Sequence, residues 1–266
     1  MNAVMEKYAS EKDEGEKDLA DRWILSRMHK KALAASKMYE TFRLRDLSLE
    51  LLYNTTNDLQ WYLKRAKKPK LREFFELWVP LIAPFMPHAA EEMWQKLGKK
   101  HYVKDAKFVA IAKMPEGDAG KVDEGLEGAE DYILKVREDI VAILKLVKIE
   151  KPSSIELFVA NDWKRKLREI ADRERKFDTA MKAAMADPEI KPHAAEVAKV
   201  LMSYMKNVGG LGKTVSAQFE LEALQSAMKL LEGEFSGAKV TVCGEAETIV
   251  PKAKNALPGK PSILIS

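Results

Sequence analysis

Lysine and arginine crowd one stretch of the chain. Between Arg22 and Arg72 there are 13 basic residues and 4 acidic ones. Such a concentration can neutralise the phosphates of a polyanion, and it can equally be the solvated surface of helices. Other side chains that could do chemistry are arranged less favourably. His29, His88, His101 and His193 are scattered, without metal-ligand spacing. Glu91 and Glu92 adjoin, so a helix would send them to different sides, whereas acid–base catalysis needs convergent groups. First-turn acids favoured by the helix dipole explain that pair better. Gly209, Gly210 and Gly212 precede Lys213-Thr214 and suggest a phosphate cradle, but the GxxxxG spacing of a P-loop is missing and a turn after a helix is the simpler reading. No nucleophile elbow or dinucleotide fingerprint occurs. The residue types therefore offer binding, with no catalytic residue, no metal site and no cofactor in this chain.

The basic stretch sits in a nearly neutral chain of net charge +4. Residues 1–21 hold 3 basic and 7 acidic side chains, residues 73–150 hold 11 and 15, and residues 151–266 hold 18 and 15. A length of 266 residues suits one large domain or two ordinary ones, and 46% hydrophobic with 32% charged residues is a globular composition. Cys243 is the single cysteine, which excludes an intrachain disulfide and a cysteine-built metal site. No apolar run reaches the roughly 18 residues of a membrane span, and the acidic start is unlike a signal peptide. A cytoplasmic location is the expectation.

Helices must position the basic residues. Residues 1–17 read as a lead-in, after which Asp18 or Asp21 can cap a helix from Arg22 carrying Trp23, Ile24, Met28, Ala35 and Met38 at helical spacing. A second long helix fits Arg43 to Lys67. A third apolar stripe runs from Leu71 to Phe85, where Pro80 and Pro84 predict a kink or early end. Pro87 opens a fourth helix through Trp94, closed by Gly98. Short links predict an antiparallel bundle over 18–115. Phe108 to Ala112 is a strand candidate. Gly117, Gly120, Gly125 and Gly128 mark a connection, and a helix with Ile133, Val136 and Ile140 on one face completes a linker over 116–150, ended by Lys151-Pro152. Residues 151–266 read as a small α/β domain. Its strand candidates are Ile155 to Ala160, Lys239 to Cys243, Glu247 to Val250 and Ser262 to Ile265, and its helical patterns cover 162–176, 178–186, 193–207 and 218–233. The expected fold is mainly α, a helical bundle followed by a small α/β domain.

Two stretches are more specific. Asp21-Arg22-Trp23-Ile24-Leu25-Ser26-Arg27 and Pro84-Phe85-Met86-Pro87-His88-Ala89-Ala90-Glu91-Glu92-Met93-Trp94, in this order with two helices between, resemble the anticodon-binding helical bundle of class I aminoacyl-tRNA synthetases for valine, isoleucine and leucine. Most of these residues read as core, with Trp23, Ile24, Phe85 and Trp94 filling the bundle. The tail resembles the leucine branch of archaeal type. One cysteine cannot build the zinc module common in isoleucine enzymes, and the tail lacks the sustained heptads of a valine-type coiled-coil arm. Its α/β layout over 126–266, ending Lys260-Pro261-Ser262-Ile263-Leu264-Ile265-Ser266, is similar to the compact C-terminal domain of archaeal leucine enzymes. Corresponding pieces of valine or isoleucine enzymes, and a helical protein–protein scaffold, remain the alternatives.

The resemblance implies a tRNA-binding role. Signatures of the HIGH and KMSKS kind are absent, so ATP and Mg would belong to a catalytic domain in a longer parent or in the other half of a split enzyme. That domain and tRNA(Leu) are the implied partners, with the chain a monomer away from membranes. The bundle is expected to grip the tRNA core and stem backbone through phosphates, since A-form RNA exposes phosphates and 2′-hydroxyls rather than readable major-groove edges. Arg22, Arg27, Lys30 and Lys31 on the first helix and Lys64, Arg65, Lys67 and Lys68 closing the second are the backbone-contact candidates. Lys260, Ile265 and Ser266 are the candidates at the long variable arm.

Overall fold

The computed structural model describes residues 15–98, 108–206 and 215–266. Helix α1 (Leu19–Glu40) begins three residues before the predicted start. Asp18 and Asp21 both cap it: the Asp18 carboxylate accepts the Asp21 N–H at 2.9 Å and Asp21 Oδ2 accepts the Asp18 N–H at 3.0 Å. The predicted second helix is one helical path in three parts, α2 (Leu44–Ser48), a π-helical stretch (Leu49–Asn54) and α3 (Thr55–Arg65). Side chains divert its carbonyls. Trp78 Nε1 donates to the Leu51 carbonyl at 2.8 Å, and Thr55 Oγ1 donates to the Glu50 carbonyl at 2.8 Å, the carbonyl that also takes the Thr55 N–H.

Helix α4 (Arg72–Ile82) is buried on almost every side, from Phe74 to Ile82, and packs against α1. It carries Pro80 in its last turn and stops before Pro84, where a second missing N–H would break the ladder. Helix α5 (Pro87–Lys96) opens on proline and ends near Gly98, whose φ of 68° is the left-handed value a helix end requires. Phe85 is half-buried and stacks on Tyr39 with ring centroids 6.0 Å apart, so it flanks the core rather than filling it. Phe108 to Ala112 forms no strand. Val109–Ile111 is a 3-10 turn whose Val109 N–H goes to Glu91 Oε2 at 2.8 Å.

The glycine-rich connection is more ordered than its composition suggests. A Cβ on Gly117 would sit 2.3 Å from the His29 carbonyl, so only glycine permits the chain to lie against α1 there. The Asp118 N–H donates to His29 Nδ1 at 3.1 Å, which leaves the proton on Nε2, facing Glu73 Oε1 at 3.2 Å. Lys17 and Lys121 each reach Glu73 at 2.5 Å. The His29 hydrogen bond first, then those of Lys121 and Lys17, hold the Glu73 carboxyl far below the usual carboxylate range against the opposing effect of burial. Because its folded value is depressed, Glu73 contributes stability above its unfolded value of about 4.3 and loses it as pH falls further. Glu73→Gln is expected to cost about 2–3 kcal/mol at pH 7 and to flatten the pH dependence of unfolding below about pH 4. Urea melts from pH 3 to 7 check this, and an unchanged acid limb would contradict it.

Helix α6 (Glu124–Val147) includes Gly125 and Gly128 and ends ahead of Pro152, with Lys148 at φ 57°. The chain forms two compact units that divide within this helix, between Gly128 and Ala129. In the second unit, β1 (Ser154–Val159) leads to α7 (Asp162–Glu174), α8 (Phe177–Ala186), α9 (Ala194–Lys206) and α10 (Ala217–Glu234), then β2 (Lys239–Gly244) and β3 (Ser262–Ile265). The strand order is β2-β1-β3. β1 runs parallel to β2, with Ile155 beside Val240, and antiparallel to β3, with Leu157 beside Ile263. Ile155, Leu157, Val159, Val240 and Ile263 are all buried, and α10 packs on β2. A second core joins α7, α8 and α9 through Trp163, Leu167, Ala180, Val197 and Leu201. The predicted strand Glu247 to Val250 is a 3-10 turn (Glu245–Glu247) followed by unpaired chain, with Ile249 wholly exposed. Among the described residues no helix is long and apolar enough to cross a membrane.

Candidate nucleic-acid interface

The cations of α1 face acids. Lys31 is buried, its ammonium donating to Asp58 Oδ2 at 2.6 Å and Thr55 Oγ1 at 3.0 Å and lying 3.3 Å from Glu50. It cannot reach a phosphate, and its place among the backbone-contact candidates is corrected to a buried tie between α1, the π-helical stretch and α3. Arg27 lies between Asp58 at 3.3 Å and Glu127 at 3.8 Å. Lys30 is half-exposed and meets Glu127 at 2.9 Å, a hydrogen bond that raises its ammonium above the ordinary lysine value. Arg22 meets Asp123 at 3.2 Å. Between these cations, Ser26 Oγ donates to Glu127 at 2.7 Å and accepts the Asp123 N–H at 2.9 Å. The Asp21–Arg27 motif is thus a latch. Trp23, Ile24 and Leu25 enter the core, while Arg22, Ser26 and Arg27 hold the start of α6. Asp21 is itself buried and accepts the Tyr62 hydroxyl at 2.5 Å.

The end of α3 differs. From Leu59 to Arg72 the sequence contains no acid. Lys64, Lys67 and Lys68 are exposed and Arg65 is half-buried. Lys64 and Arg65 occupy the last turn of α3, where cations suit the carbonyl end of the helix dipole. Lys70 and Arg72, beyond them, are committed: Lys70 to the Glu16 carbonyl, and Arg72 to Glu76 at 3.1 Å and the Leu97 carbonyl at 3.0 Å. The structure therefore turns the α1 cations toward acids and places Lys64, Lys67 and Lys68, with the half-buried Arg65, in a cluster displayed at the end of α3.

In the second unit, Lys260 is exposed and its backbone bridges Leu257. Ile265 pairs with Ile155. Ser266 donates its N–H to the Ser154 carbonyl at 3.0 Å, and its own carbonyl accepts from Ser153 N, Ser154 N and Ser153 Oγ at 2.7, 3.1 and 2.9 Å. The sheet thus takes the hydrogen bonds of the Ser266 N–H and carbonyl. Composition gave no sign of two buried charge clusters here. Lys164, with a fully buried side chain, donates to Glu245 at 2.8 Å and to the carbonyls of Lys254 and Ala256 at 2.7 and 2.9 Å. Arg165 meets Glu220 at 2.9 Å, and Glu220 accepts the Gly259 N–H at 2.9 Å and the Tyr132 hydroxyl at 3.2 Å. Burial pushes the Glu220 carboxyl up, opposed chiefly by Arg165. The helical basic pattern of α7 is the only sequence signal for them, and it reads as surface.

Nothing described converges for catalysis. Glu91 is occupied with Val109, and Glu92 pairs with Lys96 at 2.8 Å. His88 is exposed, and His193 stacks on Trp163 at 4.6 Å. Among the described residues no three His, Cys, Asp or Glu side chains are grouped to hold a metal. His101 and the Gly209–Thr214 loop lie outside the described residues.

The model of a family described as the anticodon-binding domain of tRNA ligase matches residues 21–159. The chain belongs to that family. It is 36% identical over 252 residues to the leucine–tRNA ligase of Pyrococcus horikoshii, covering 92% of this chain and 25% of that protein. The leucine–tRNA ligases of Methanothrix thermoacetophila and Methanocaldococcus jannaschii are 32% and 33% identical, over 95% and 92% of this chain. The chain thus spans about a quarter of the length of these curated relatives and corresponds to their C-terminal part. The bundle motifs that carried the resemblance lie inside the matched anticodon-binding region, and the α/β tail extends beyond it.

Proposed function

We propose that the chain is the tRNA-binding C-terminal portion of a leucine–tRNA ligase, acting with a catalytic domain that binds ATP and Mg. The observation that carries this reading is the continuous similarity to archaeal leucine–tRNA ligases over almost the whole chain. The displayed cations at the end of α3, in a segment without acids, support it, because phosphate binding needs cations within reach of solvent. In this reading the bundle grips the tRNA core through Lys64, Arg65, Lys67 and Lys68, and the α/β unit, with Lys260, addresses the long variable arm of tRNA(Leu). The chain acts as a cytoplasmic monomer and forms no leucyl-adenylate alone. Competition binding tests it with a leucine tRNA transcript and the same transcript with a shortened variable arm. Preference for the long arm is expected, and equal affinity would remove the assignment to the α/β unit. Pyrophosphate exchange by the isolated chain would overturn the division of labour.

A further inference from the structure

Side-chain hydrogen bonds hold the basic run that follows β2. From Thr248 to Ser266 there are three lysines, Lys252, Lys254 and Lys260, and no acid. Buried side chains fix the backbone beneath them. Ser262 Oγ donates to the Lys252 carbonyl at 2.7 Å. The Lys164 ammonium holds the carbonyls of Lys254 and Ala256 from below, and the Leu257–Lys260 bridge closes the segment. With those carbonyls turned inward, Lys254 and Lys260 present their side chains to solvent.

One edge of this segment borders a cleft of about 220 Å³ against α9, lined by Glu196, Lys199, Ser203, Lys254, Asn255 and Leu257. Lys199 reaches Asn255 Oδ1 at 3.4 Å, and Lys254 meets Glu196 at 2.7 Å. Lys254 is 68% exposed in that pair, so the pairing is weak and an incoming phosphate can compete for the ammonium. Two cations, one of them paired with the Glu196 carboxylate that an incoming phosphate would displace, flank an amide and a hydroxyl, a set that can take a sugar–phosphate unit: phosphate to the ammoniums, ribose hydroxyl to the amide.

We infer that this cleft is a seat for the ribose–phosphate backbone of RNA, with Lys199 and Lys254 as phosphate contacts, Asn255 as the 2′-hydroxyl partner, and the Lys164–Glu245 pair as the positioning device beneath it. The inference rests on the tRNA-binding reading and adds a site to it on the α/β unit. A rigid backbone matters because pre-ordered cations give up less freedom on binding.

The test is equilibrium binding of a leucine tRNA transcript to the full chain and to its Lys199→Ala/Lys254→Ala/Asn255→Ala variant, over a range of salt. All three side chains lie at the surface, so the variant should melt like the parent, and the melting curve is recorded alongside. Removing two ammonium–phosphate pairs is expected to flatten the log–log salt slope by about 1.4–1.8 and to weaken binding roughly tenfold. Lys254→Arg, which keeps the charge, should retain most of the affinity. A triple variant with parental affinity and slope overturns the seat while leaving the tRNA reading intact. Weaker binding with an unchanged slope overturns it too, because the two ammoniums would then not be meeting phosphate. A parent chain that binds no tRNA overturns both.

Discussion

Removing the last four residues, Ile263 to Ser266, is expected to destabilise the α/β unit by about 4–6 kcal/mol, most of what a domain of its size has to lose. The deletion takes three of the four β3 residues and with them one side of β1. Ile263 is buried opposite Leu157, and Ile265 covers Ile155. Burying an aliphatic side chain contributes roughly 1.5–3 kcal/mol, and each hydrogen bond about 0.5–1.5 kcal/mol. The Ser266 carbonyl alone collects three of those bonds. β1 is the central strand, so Ile155 and Leu157, both wholly buried, would gain a wet edge. Urea denaturation followed by circular dichroism measures the cost. A truncated chain with an unchanged midpoint would show that β3 contributes nothing to the sheet. Because fold and tail are coupled, recognition by this end is better tested with Lys260→Glu, which leaves the strand in place.

Reversing the displayed cluster, with Lys64, Arg65, Lys67 and Lys68 all changed to Glu, should weaken tRNA binding by roughly a hundredfold or more at low salt and flatten the salt slope by about 0.7–0.9 for each phosphate no longer neutralised. The bundle should remain folded, because three of the four side chains are exposed and none is in the core. Lys31→Met is the contrasting variant. It takes the ammonium away from Asp58 Oδ2 and Thr55 Oγ1, leaving Asp58 the longer contact with Arg27 at 3.3 Å. Breaking a buried pair from one side costs about 3–5 kcal/mol, so Lys31→Met should lower stability while the surviving folded protein keeps its affinity. Melting curves and tRNA titrations on both variants separate the two kinds of lysine. If the quadruple variant bound as the parent does, those cations would be no more than a solvated helix end.

These two lysine sites show where the sequence stops being informative. Lysine reads as surface by type, and only the arrival of Asp58 from 27 residues away makes Lys31 internal. Lys164 is the same case across 81 residues, with Glu245. Periodicity did better. The helical patterns of α7 to α10 were legible because their apolar residues recur on one face, and Ser262 to Ile265 because an apolar run follows a proline. Phe108 to Ala112 and Glu247 to Val250 had the composition of strands but meet no partner strand among the described residues, and a strand is defined by its partner. The π-helical stretch was invisible for a similar reason: it depends on Trp78 reaching the Leu51 carbonyl from another helix. The Asp21–Arg27 motif was legible as core, but its polar members were not legible as a latch, because Glu127 and Asp123 lie about a hundred residues on.

The most direct test of the central claim is the affinity of the chain for a leucine tRNA transcript, measured by filter binding across a salt series. A tRNA grip built on the α3 cluster requires saturable binding whose logarithm falls linearly with the logarithm of salt. Four phosphate contacts from that cluster would give a slope steeper than about −2.8. Absence of binding at low salt, or binding indifferent to salt, would contradict it.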